Sequence, residues 1–208
     1  MFLGTTNPGK TAEIAALLAP LGIELRPVSL DIPETTDTFE GNALQKALAY
    51  AAHTGGVTLS EDSGLIVPSL GGLPGPWSAM FADLDRASLK VTPSGRTREE
   101  IDPANNALVL ELMEGIEQPR RAACFKVVLI VAQPAKVLFQ SSAEYHGWIA
   151  TEPRGKEGFG YDPIFVGQDT FGRTLAELDA ARKNLRSHRR RVLDELFLWA
   201  SQNRSVLA

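Results

Sequence analysis

Apolar residues recur at the three-to-four spacing of a helix face in four stretches of the chain. These stretches predict helices over residues 11–21, 39–53, 106–113 and 187–200. Gly22 and the Gly55-Gly56 pair follow the first two stretches as stop signals, and Ser187 begins the last as a capping residue.

Shorter apolar runs predict the strands. They lie at residues 23–28, 57–60, 65–67, 121–131 and 137–150. The last two are long and are joined through Gln133-Pro134-Ala135, which predicts a β pair in one edge lobe of the fold. Helices and strands mixed in this way, without internal repeats, predict an α/β fold around a mixed sheet.

Polar, glycine-rich and proline-rich segments separate these elements. Residues 31–37 are expected to form an acidic loop, and residues 71–76 a rigid turn. Charged residues, serine and threonine predominate from 83 to 100, which predicts a mobile surface segment. No linker is evident, so we expect one domain spanning residues 1–208.

Composition narrows the function classes. Hydrophobic residues make up 44% of the chain, so disorder is not expected, and the net charge of −4 gives no general attraction to nucleic acid. The single cysteine, Cys124, cannot form an internal disulfide, and its apolar neighbours predict a packed thiol. No apolar stretch approaches the roughly 20 residues that span a bilayer, and residues 1–3 are too short for a signal peptide. We therefore expect a cytoplasmic protein that does not contact membranes.

Residues 4–11 read Gly-Thr-Thr-Asn-Pro-Gly-Lys-Thr and satisfy the P-loop pattern. Only three residues precede Gly4, which is short for the strand that a P-loop follows. The best apolar run, 127–132, is followed by Gln133 rather than by an aspartate for the metal. We therefore expect a phosphate-facing loop that carries Lys10, but not a P-loop ATPase.

Glu61-Asp62-Ser63-Gly64 lies between two predicted strands. Adjacent carboxylates there are costly unless a cation neutralises them. Mg²⁺ suits this place because it prefers oxygen ligands, often one or two carboxylates together with substrate phosphates. A metal site and an acidic β-turn are both compatible with the stretch, and Glu34 is either a second ligand or a solvated loop residue.

Phe159-Gly160-Tyr161-Asp162-Pro163 is a second candidate region. The glycines around it allow the backbone to approach a flat ligand while aromatic rings are presented to it. Such a loop suits a base or a sugar. A Gly-Pro turn with its rings packed in the core explains the same residues.

Lys183, Ser187, His188 and Arg189-Arg190-Arg191 form a basic cluster around the start of the last helix. Cations are unfavourable at a helix N-terminus, so they are more easily understood if they face an anion or bind a ligand. A nucleic-acid patch is the alternative, weakly supported on an acidic chain. For Arg190 and Arg191 a solvated helix face is a further alternative.

In order along the chain, these segments resemble the motifs of the Ham1/RdgB family of inosine triphosphate pyrophosphatases. Thr6-Asn7-Pro8-Gly9-Lys10 with Glu13 is similar to T/S-x-N-x-x-K-x-x-E, and Thr38-Phe39-Glu40-Gly41-Asn42-Ala43 with Lys46 is similar to T-F-x-E-N-A-x-x-K. The further matches are Glu61-Asp62-Ser63-Gly64-Leu65, Leu70-Gly71-Gly72-Leu73-Pro74-Gly75, residues 158–163, and Lys183-Asn184 with Ser187-His188-Arg189. Six motifs in register cover nearly the whole chain.

The resemblance implies an elongated α/β fold with helices flanking a mixed sheet, a homodimer, and Mg²⁺-dependent hydrolysis of non-standard purine nucleoside triphosphates. ITP, dITP and XTP would be cut to the monophosphate and pyrophosphate. By motif position, Asp62 would be the catalytic carboxylate and a metal ligand, and Glu34 the other metal ligand. The triphosphate would be bound by Thr6, Asn7, Pro8, Gly9, Lys10 and Lys46, and Thr5 and Ser63 would also bind the substrate. The base would be framed by Phe159, Gly160, Tyr161, Asp162, Lys183, His188 and Arg189.

Two positions depart from the family pattern. Gly41 stands where the E-N-A motif has glutamate, and Met80 stands where arginine commonly follows Ser-Ala.

Two other functions remain open. A Maf-type pyrophosphatase acting on modified pyrimidine nucleotides would share the fold class but not the Ser-His-Arg and Phe-Gly-Tyr-Asp motifs, and a non-enzymatic nucleic-acid-binding protein would use the basic cluster.

Overall fold

The computed structural model describes residues 1–19 and 22–204. Its strands and α-helices are β1 (Phe2–Gly4), α1 (Pro8–Leu18), β2 (Arg26–Val28), α2 (Phe39–Thr54), β3 (Thr58–Ile66), β4 (Leu84–Asp85), β5 (Lys90–Val91), α3 (Arg98–Leu112), β6 (Ala122–Gln133), β7 (Lys136–Ile149), β8 (Phe165–Gly167), α4 (Ala180–Asn184) and α5 (His188–Gln202). Short 3₁₀ helices lie at Pro68–Leu70, Gly75–Asp83 and Leu175–Glu177. No helix in the described residues is long and apolar enough to cross a membrane.

Six strands form a mixed sheet in the order β2-β1-β3-β6-β7-β8. Strand β1 is parallel to both neighbours, with Leu3 opposite Pro27 on β2 and Leu59 on β3. Strands β7 and β8 are antiparallel. The short connection between β6 and β7 makes them a hairpin, since parallel neighbours need a long crossover. Strands β4 and β5 form a separate antiparallel pair.

The chain divides into two compact units. The first unit contains Met1–Ser63, Val127–Ala143 and the chain from Asn184 onward, and the second unit contains Gly64–Lys126 and Glu144–Lys183. Each unit has its own apolar core. Side chains of β1, α1, β3, β6 and α5 fill the first core. Side chains of α3 and of the strands in the second unit fill the other.

The elements with the clearest periodicity are confirmed. The fold is α/β with a mixed sheet, and the predicted long β pair is β6-β7. Its predicted place in an edge lobe is wrong, because β6 and β7 lie inside the six-stranded sheet, with β3 and β8 as their outer neighbours. Helix α2 ends at Gly55, whose left-handed φ of 67° suits glycine. Helix α5 begins after Ser187, whose Oγ accepts a hydrogen bond from the Arg190 N–H at 3.0 Å.

Of the two alternatives left open at Glu61-Asp62, the acidic β-turn is wrong. The two strands predicted on either side are one strand, β3, and both acids lie within it. Glu61 is 2% exposed and Asp62 is 4% exposed. A strand can bury adjacent carboxylates only where cations neutralise them, so Glu61 and Asp62 require cationic partners on the elements packed against β3.

The segment from 83 to 100 has more regular structure than predicted, because it contains β4, β5 and the first turn of α3. Helix α3 begins eight residues before the predicted helix over 106–113. The missed signal is a Thr-x-x-Glu capping box, in which the Thr97 N–H donates to Glu100 Oε2 at 2.8 Å.

Other boundaries shift by a few residues. Helix α1 begins at Pro8, earlier than the predicted helix over 11–21, and residues 20 and 21 of that prediction lie outside the described residues. Strand β2 is shorter than the predicted strand over 23–28. The predicted turn over 71–76 runs into the 3₁₀ helix that begins at Gly75.

Candidate active site

Asn7 determines how the chain enters α1. Its Oδ1 accepts hydrogen bonds from the backbone N–H groups of Gly9 and Lys10 at 2.9 and 3.2 Å. Its own N–H donates to Thr5 Oγ1 at 3.1 Å. In a P-loop such N–H groups would bind phosphate, whereas here a side chain caps them. The segment therefore offers an anion the ammonium group of Lys10 rather than a cradle of backbone N–H groups.

Arg189, at the start of α5, is the main partner of Glu61. Its Nε and Nη2 donate to the two carboxylate oxygens of Glu61 at 2.7 and 2.9 Å, which is a bidentate ion pair. Its Nη1 donates to Glu13 on α1, and Nη2 also donates to Ser63 Oγ at 3.1 Å. Arg189 is only 2% exposed. A contact between this guanidinium and a base stays a prediction, and it would require one of these bonds to open.

Lys46 on α2 joins the two predicted metal ligands. Its Nζ donates to Asp62 Oδ1 at 2.8 Å and to Glu34 Oε1 at 2.5 Å. Two carboxylates from separate parts of the sequence therefore converge on one cation. Asp62 Oδ2 is buried and has no hydrogen-bond partner among the described residues. Such an atom calls for a further partner, such as a metal ion or a water molecule.

Burial and charge separate the pKa values of the two adjacent acids. Burial raises the pKa of Asp62 above its ordinary value, against the effect of Lys46. Burial acts in the same direction on Glu61, but Arg189 outweighs it and holds the pKa of Glu61 well below its usual range. Glu61 is therefore a fixed anion, whereas Asp62 is the better proton acceptor.

The cluster as a whole carries almost balanced charge. Its cations are Lys10, Lys46 and Arg189, and its carboxylates are Glu13, Glu34, Glu61 and Asp62. Three positive groups face four negative groups, so the net charge is one negative. This net negative charge would repel a triphosphate. One divalent cation would reverse its sign, so the donor set fits a magnesium ion held by carboxylate oxygens.

The departure at Gly41 has a packing reason. A Cβ at this position would lie 2.4 Å from Thr36 Oγ1. Any side chain at 41 would therefore displace the loop that carries Glu34, so the glutamate of the family motif cannot be accommodated here without moving that loop.

The predicted base loop lies in the second unit. Asp162 Oδ2 accepts hydrogen bonds from the Phe159 N–H at 2.8 Å and from Lys183 Nζ at 2.7 Å. Lys183 Nζ also lies 4.4 Å from the centroid of the Phe159 ring. The Tyr161 hydroxyl donates to the Ser78 carbonyl oxygen at 2.8 Å, and its ring is buried. Tyr161 therefore fits the alternative of an aromatic ring packed in the core. Phe159 and Gly160 are only partly buried.

The basic cluster is not a continuous surface patch. Arg189 is buried in the ion pairs described above, and Lys183 is paired with Asp162. The Arg190 Nε donates to Asp194 Oδ1 at 2.7 Å within α5, which is a helix-surface pair. These contacts weaken the nucleic-acid alternative.

The predicted site residues thus fall into two groups. The first unit brings together Lys10, Glu34, Lys46, Asp62, Ser63 and Arg189, with Thr5, Asn7, Pro8 and Gly9 at the start of α1, and it also contains Thr6 and the buried His188. The second unit brings together Phe159, Gly160, Tyr161, Asp162 and Lys183.

Glu13 belongs to the charged cluster but had no predicted role of its own. It follows Lys10 by three residues, so helical spacing could have found it on the same face.

Comparison with known proteins agrees with the motifs. The model of the Ham1 family matches residues 1–199. The dITP/XTP pyrophosphatase of Streptococcus pyogenes serotype M18 is 41% identical over 202 residues, which are 94% of this chain and 57% of that protein. The dITP/XTP pyrophosphatase of Streptococcus agalactiae serotype V is 39% identical over 98% of this chain and 61% of that protein. The chain therefore spans less than two thirds of the length of these streptococcal relatives.

Solved structures match over nearly their full length. A HAM1 protein from Coxiella burnetii is 34% identical, with a TM-score of 0.78, and the match covers 97% of this chain and 98% of that one. A nucleoside-triphosphatase, also named dITP/XTP pyrophosphatase, from Mycobacterium abscessus is 36% identical, with a TM-score of 0.68 over 94% and 96% of the two chains. Motifs, fold and similarity over the length of the chain agree, and the chain belongs to the Ham1 family.

Proposed function

We propose that this protein hydrolyses non-standard purine nucleoside triphosphates, such as dITP, ITP and XTP, to the nucleoside monophosphate and pyrophosphate. The names of its streptococcal and mycobacterial relatives support the substrate class. The observation that carries the proposal is the convergence of Glu34 and Asp62 on Lys46, beside an unsatisfied Asp62 Oδ2.

Glu34 and Asp62 would hold the metal, and Mg²⁺ is the ion that their oxygen donors favour. When bound, Mg²⁺ would neutralise phosphate charge and lower the pKa of a coordinated water. The fit rests on the donor chemistry, on the buried Asp62 Oδ2 and on the net negative charge of the cluster.

The residues of the chain supply the remaining functions. Hydrolysis of a phosphoanhydride forms a bond between the water oxygen and the α-phosphorus and breaks the bond from that phosphorus to the bridging oxygen. The water loses a proton, and the carboxylate of Asp62 is the proposed acceptor because burial raises its pKa above the ordinary value. The ammonium group of Lys10 is proposed to offset the charge of the leaving pyrophosphate.

Two further properties are proposed on the family resemblance alone. The base contacts at Phe159, Gly160, Asp162 and Lys183 stay a prediction, and so does the homodimer in the cytoplasm. The Maf-type alternative has no support in the family match. A nucleic-acid role would need a basic surface that Arg189 does not provide, since it is buried.

A substrate panel tests the proposal. Purified protein is incubated with Mg²⁺ and each of dITP, ITP, XTP, ATP, GTP and a modified pyrimidine triphosphate, and pyrophosphate and orthophosphate are measured separately. We expect pyrophosphate in equal amount to the monophosphate, with ATP turned over at least about tenfold more slowly than ITP, because mismatched hydrogen-bonding groups are costly when buried. Release of orthophosphate, or preference for the pyrimidine, would overturn the proposal.

A further inference from the structure

The acidic loop before α2 is attached to that helix on both sides of Glu34. The Gln45 Nε2 donates to the Pro33 carbonyl oxygen at 2.7 Å. The Gln45 Oε1 accepts from the Thr35 hydroxyl at 3.1 Å and from the Thr35 N–H at 3.4 Å. One side-chain amide therefore binds the residue before Glu34 and the residue after it. Gln45 itself precedes Lys46, whose ammonium group pairs with Glu34.

This attachment matters because Glu34 lies in a segment without regular structure, and its side chain is 36% exposed. Fixing a free loop and a long side chain costs conformational entropy that weakens metal binding. The loop is also attached one residue further on, where the Thr36 hydroxyl donates to Asn42 Oδ1 at 2.8 Å. Outer groups that orient a metal ligand commonly change metal affinity by about 10–100-fold.

We propose that Gln45 is a positioning residue that holds Glu34 in place for the divalent cation through the Pro33 carbonyl and Thr35. The inference rests on the proposed role of Glu34 as a metal ligand. Gln45 lies outside the charged cluster, and its amide acts on Glu34 only through the path of the loop.

The variant Gln45→Met removes all three hydrogen bonds of the amide and keeps the length and helix propensity of the side chain. Mn²⁺ serves as a paramagnetic substitute for Mg²⁺ and is titrated without nucleotide, with free Mn²⁺ read by electron paramagnetic resonance. We expect Gln45→Met to weaken Mn²⁺ binding about tenfold. Leu44→Ala, a change of an exposed neighbour on the same helix, is the matched control and should bind Mn²⁺ as the wild type does.

A second measurement reads the loop directly. Amide hydrogen exchange at residues 34–36 should accelerate in Gln45→Met and stay unchanged in Leu44→Ala, because only the first variant frees the loop. Unchanged exchange in Gln45→Met would overturn the inference whatever the metal affinity.

Glu34→Gln separates this inference from the proposed function. If Glu34→Gln weakens Mn²⁺ binding and Gln45→Met does not, Gln45 does not position the ligand, and the role of Glu34 stands. If Glu34→Gln binds Mn²⁺ like the wild type, Glu34 is not a ligand, and both the proposed metal pair and the role of Gln45 are overturned.

A separate observation concerns the parts of β6 and β7 that belong to the second unit. Ligand atoms of Cys124, Glu144 and His146 all lie within 4.8 Å of one another. Glu144 and His146 are two residues apart on β7, so their side chains leave the same face of the strand. Their Oε2 and Nε2 atoms are 3.5 Å apart, and both side chains are accessible from the surface.

The chemistry of these three ligands limits which metal ions would fit the site. Zinc bonds of about 2.0–2.2 Å to nitrogen and oxygen in tetrahedral geometry place neighbouring ligand atoms roughly 3.3–3.6 Å apart, and the Glu144–His146 separation matches this. A thiolate and an imidazole favour Zn²⁺ over Mg²⁺. Cys124 is a buried thiol, so the ion would displace its proton to solvent on binding.

We infer that Cys124, Glu144 and His146 form a binding site for one Zn²⁺, with a fourth position left to water. This ligand set shares no residue with the proposed Mg²⁺ pair. It requires the Cys124 sulfur and the two surface ligands to close around the ion by roughly an ångström, from separations of up to 4.8 Å to those of zinc sites.

Co²⁺ is a coloured probe for this site, because a thiolate ligand gives a charge-transfer band. One equivalent of Co²⁺ should produce the band, and one equivalent of Zn²⁺ should abolish it. Cys124→Ser and His146→Ala should each lose the band, and His146→Ala tests the site even if the buried cysteine is needed for folding. His53→Ala, which removes an exposed histidine of α2, should keep it. A band that persists in His146→Ala, or no band at one equivalent, would overturn the site and leave adventitious binding only.

Discussion

The two compact units bury charge in opposite ways. In the first unit, Arg189 is neutralised by the carboxylates of Glu61 and Glu13. In the second unit, Arg121 is 5% exposed and has no carboxylate partner among the described residues. Its guanidinium donates to four backbone carbonyl oxygens, those of Met113, Ile116, Ile149 and Ala150, at 2.6–3.0 Å.

The difference shows what each kind of burial can do. Carboxylates held by cations can exchange partners when a metal ion or a phosphate arrives, because each ion pair can be replaced by another charge-assisted contact. Carbonyl groups held by Arg121 have no such freedom, and they fix the turn after α3 to the end of β7. We therefore expect substitutions in the first cluster to change chemistry and stability, and substitution of Arg121 to change stability alone.

The largest effect is expected at Asp62. Asp62→Asn keeps the size of the side chain and removes the proposed proton acceptor and one of the two proposed metal ligands, so turnover of ITP under saturating Mg²⁺ should fall by about 10³-fold or more. Circular dichroism and the unfolding midpoint should show that the fold is retained. Asp179→Asn makes the same change at an exposed acid of the second unit and should leave turnover unaffected. Near wild-type turnover by Asp62→Asn would contradict the assignment.

The ion pairs of Arg189 come next. Arg189→Ala leaves Glu61 and Glu13 buried beside too little positive charge, so the free energy of unfolding should fall by about 3–5 kcal/mol. Urea unfolding of the wild type and the variant, fitted with one shared m-value, measures the change in the free energy of unfolding. A loss below about 1 kcal/mol would mean that the cluster relaxes by taking in water.

Arg121→Met is the matching change in the second unit. It removes a buried guanidinium and leaves carbonyl groups without a donor, each of which costs about 1–3 kcal/mol if it stays dry. We expect a destabilisation of similar size to that of Arg189→Ala but no change in kcat/KM for ITP at a temperature where the variant is folded. A selective loss of kcat/KM would contradict the division of roles between the units.

Lys10 gives a smaller and more specific effect. Its side chain is 13% exposed, and burial lowers its pKa below the ordinary value even though Glu61 lies 3.3 Å away. Lys10→Ala should weaken triphosphate binding by about 1.5–3 kcal/mol, because one charge-assisted contact is lost, and should weaken monophosphate binding much less. Calorimetric titration of IMP and of an ITP analogue that cannot be cut between its α- and β-phosphates compares the two. Equal weakening would place Lys10 away from the β- and γ-phosphates.

Sequence alone predicts the parts of this molecule that local signals determine. The capping serine, the left-handed glycine and the long apolar runs predict α5, the end of α2 and the β6-β7 pair. Strand β3 could not be predicted through Glu61 and Asp62, because their partners are distant in sequence. Lys46 precedes Asp62 by 16 residues, and Arg189 follows Glu61 by 128. No local sequence pattern predicts that a buried strand will have cationic partners on both sides.

The roles of the residues in the candidate site are also only partly predictable from the sequence. Family motifs supplied Glu34 and Asp62 as metal ligands, and the structure brings both to Lys46. The motifs predict that Arg189 binds the base, whereas in the structure it holds Glu61. A motif records which residues belong to a site, but it does not record whether a side chain faces the ligand or supports another side chain.

Acid unfolding gives the smallest effect and distinguishes the two kinds of burial most directly. Arg189 holds the pKa of Glu61 well below its usual value in the folded protein, while the unfolded chain restores the ordinary value of 4.5. The ion pair therefore contributes its full stability above pH 4.5 and loses it as the pH falls toward the folded pKa. In that range Glu61 alone should add a slope of about 1.4 kcal/mol per pH unit. Glu61→Gln should remove this slope, whereas Glu24→Gln, at an exposed acid of the same unit, should not.

Arg121 keeps its proton throughout this range and faces only carbonyl groups, so Arg121→Met should lower stability by the same amount at pH 3.5 and pH 6. If Glu61→Gln leaves the acid slope unchanged, the pair is not charged in the folded protein, and the contrast between the units fails.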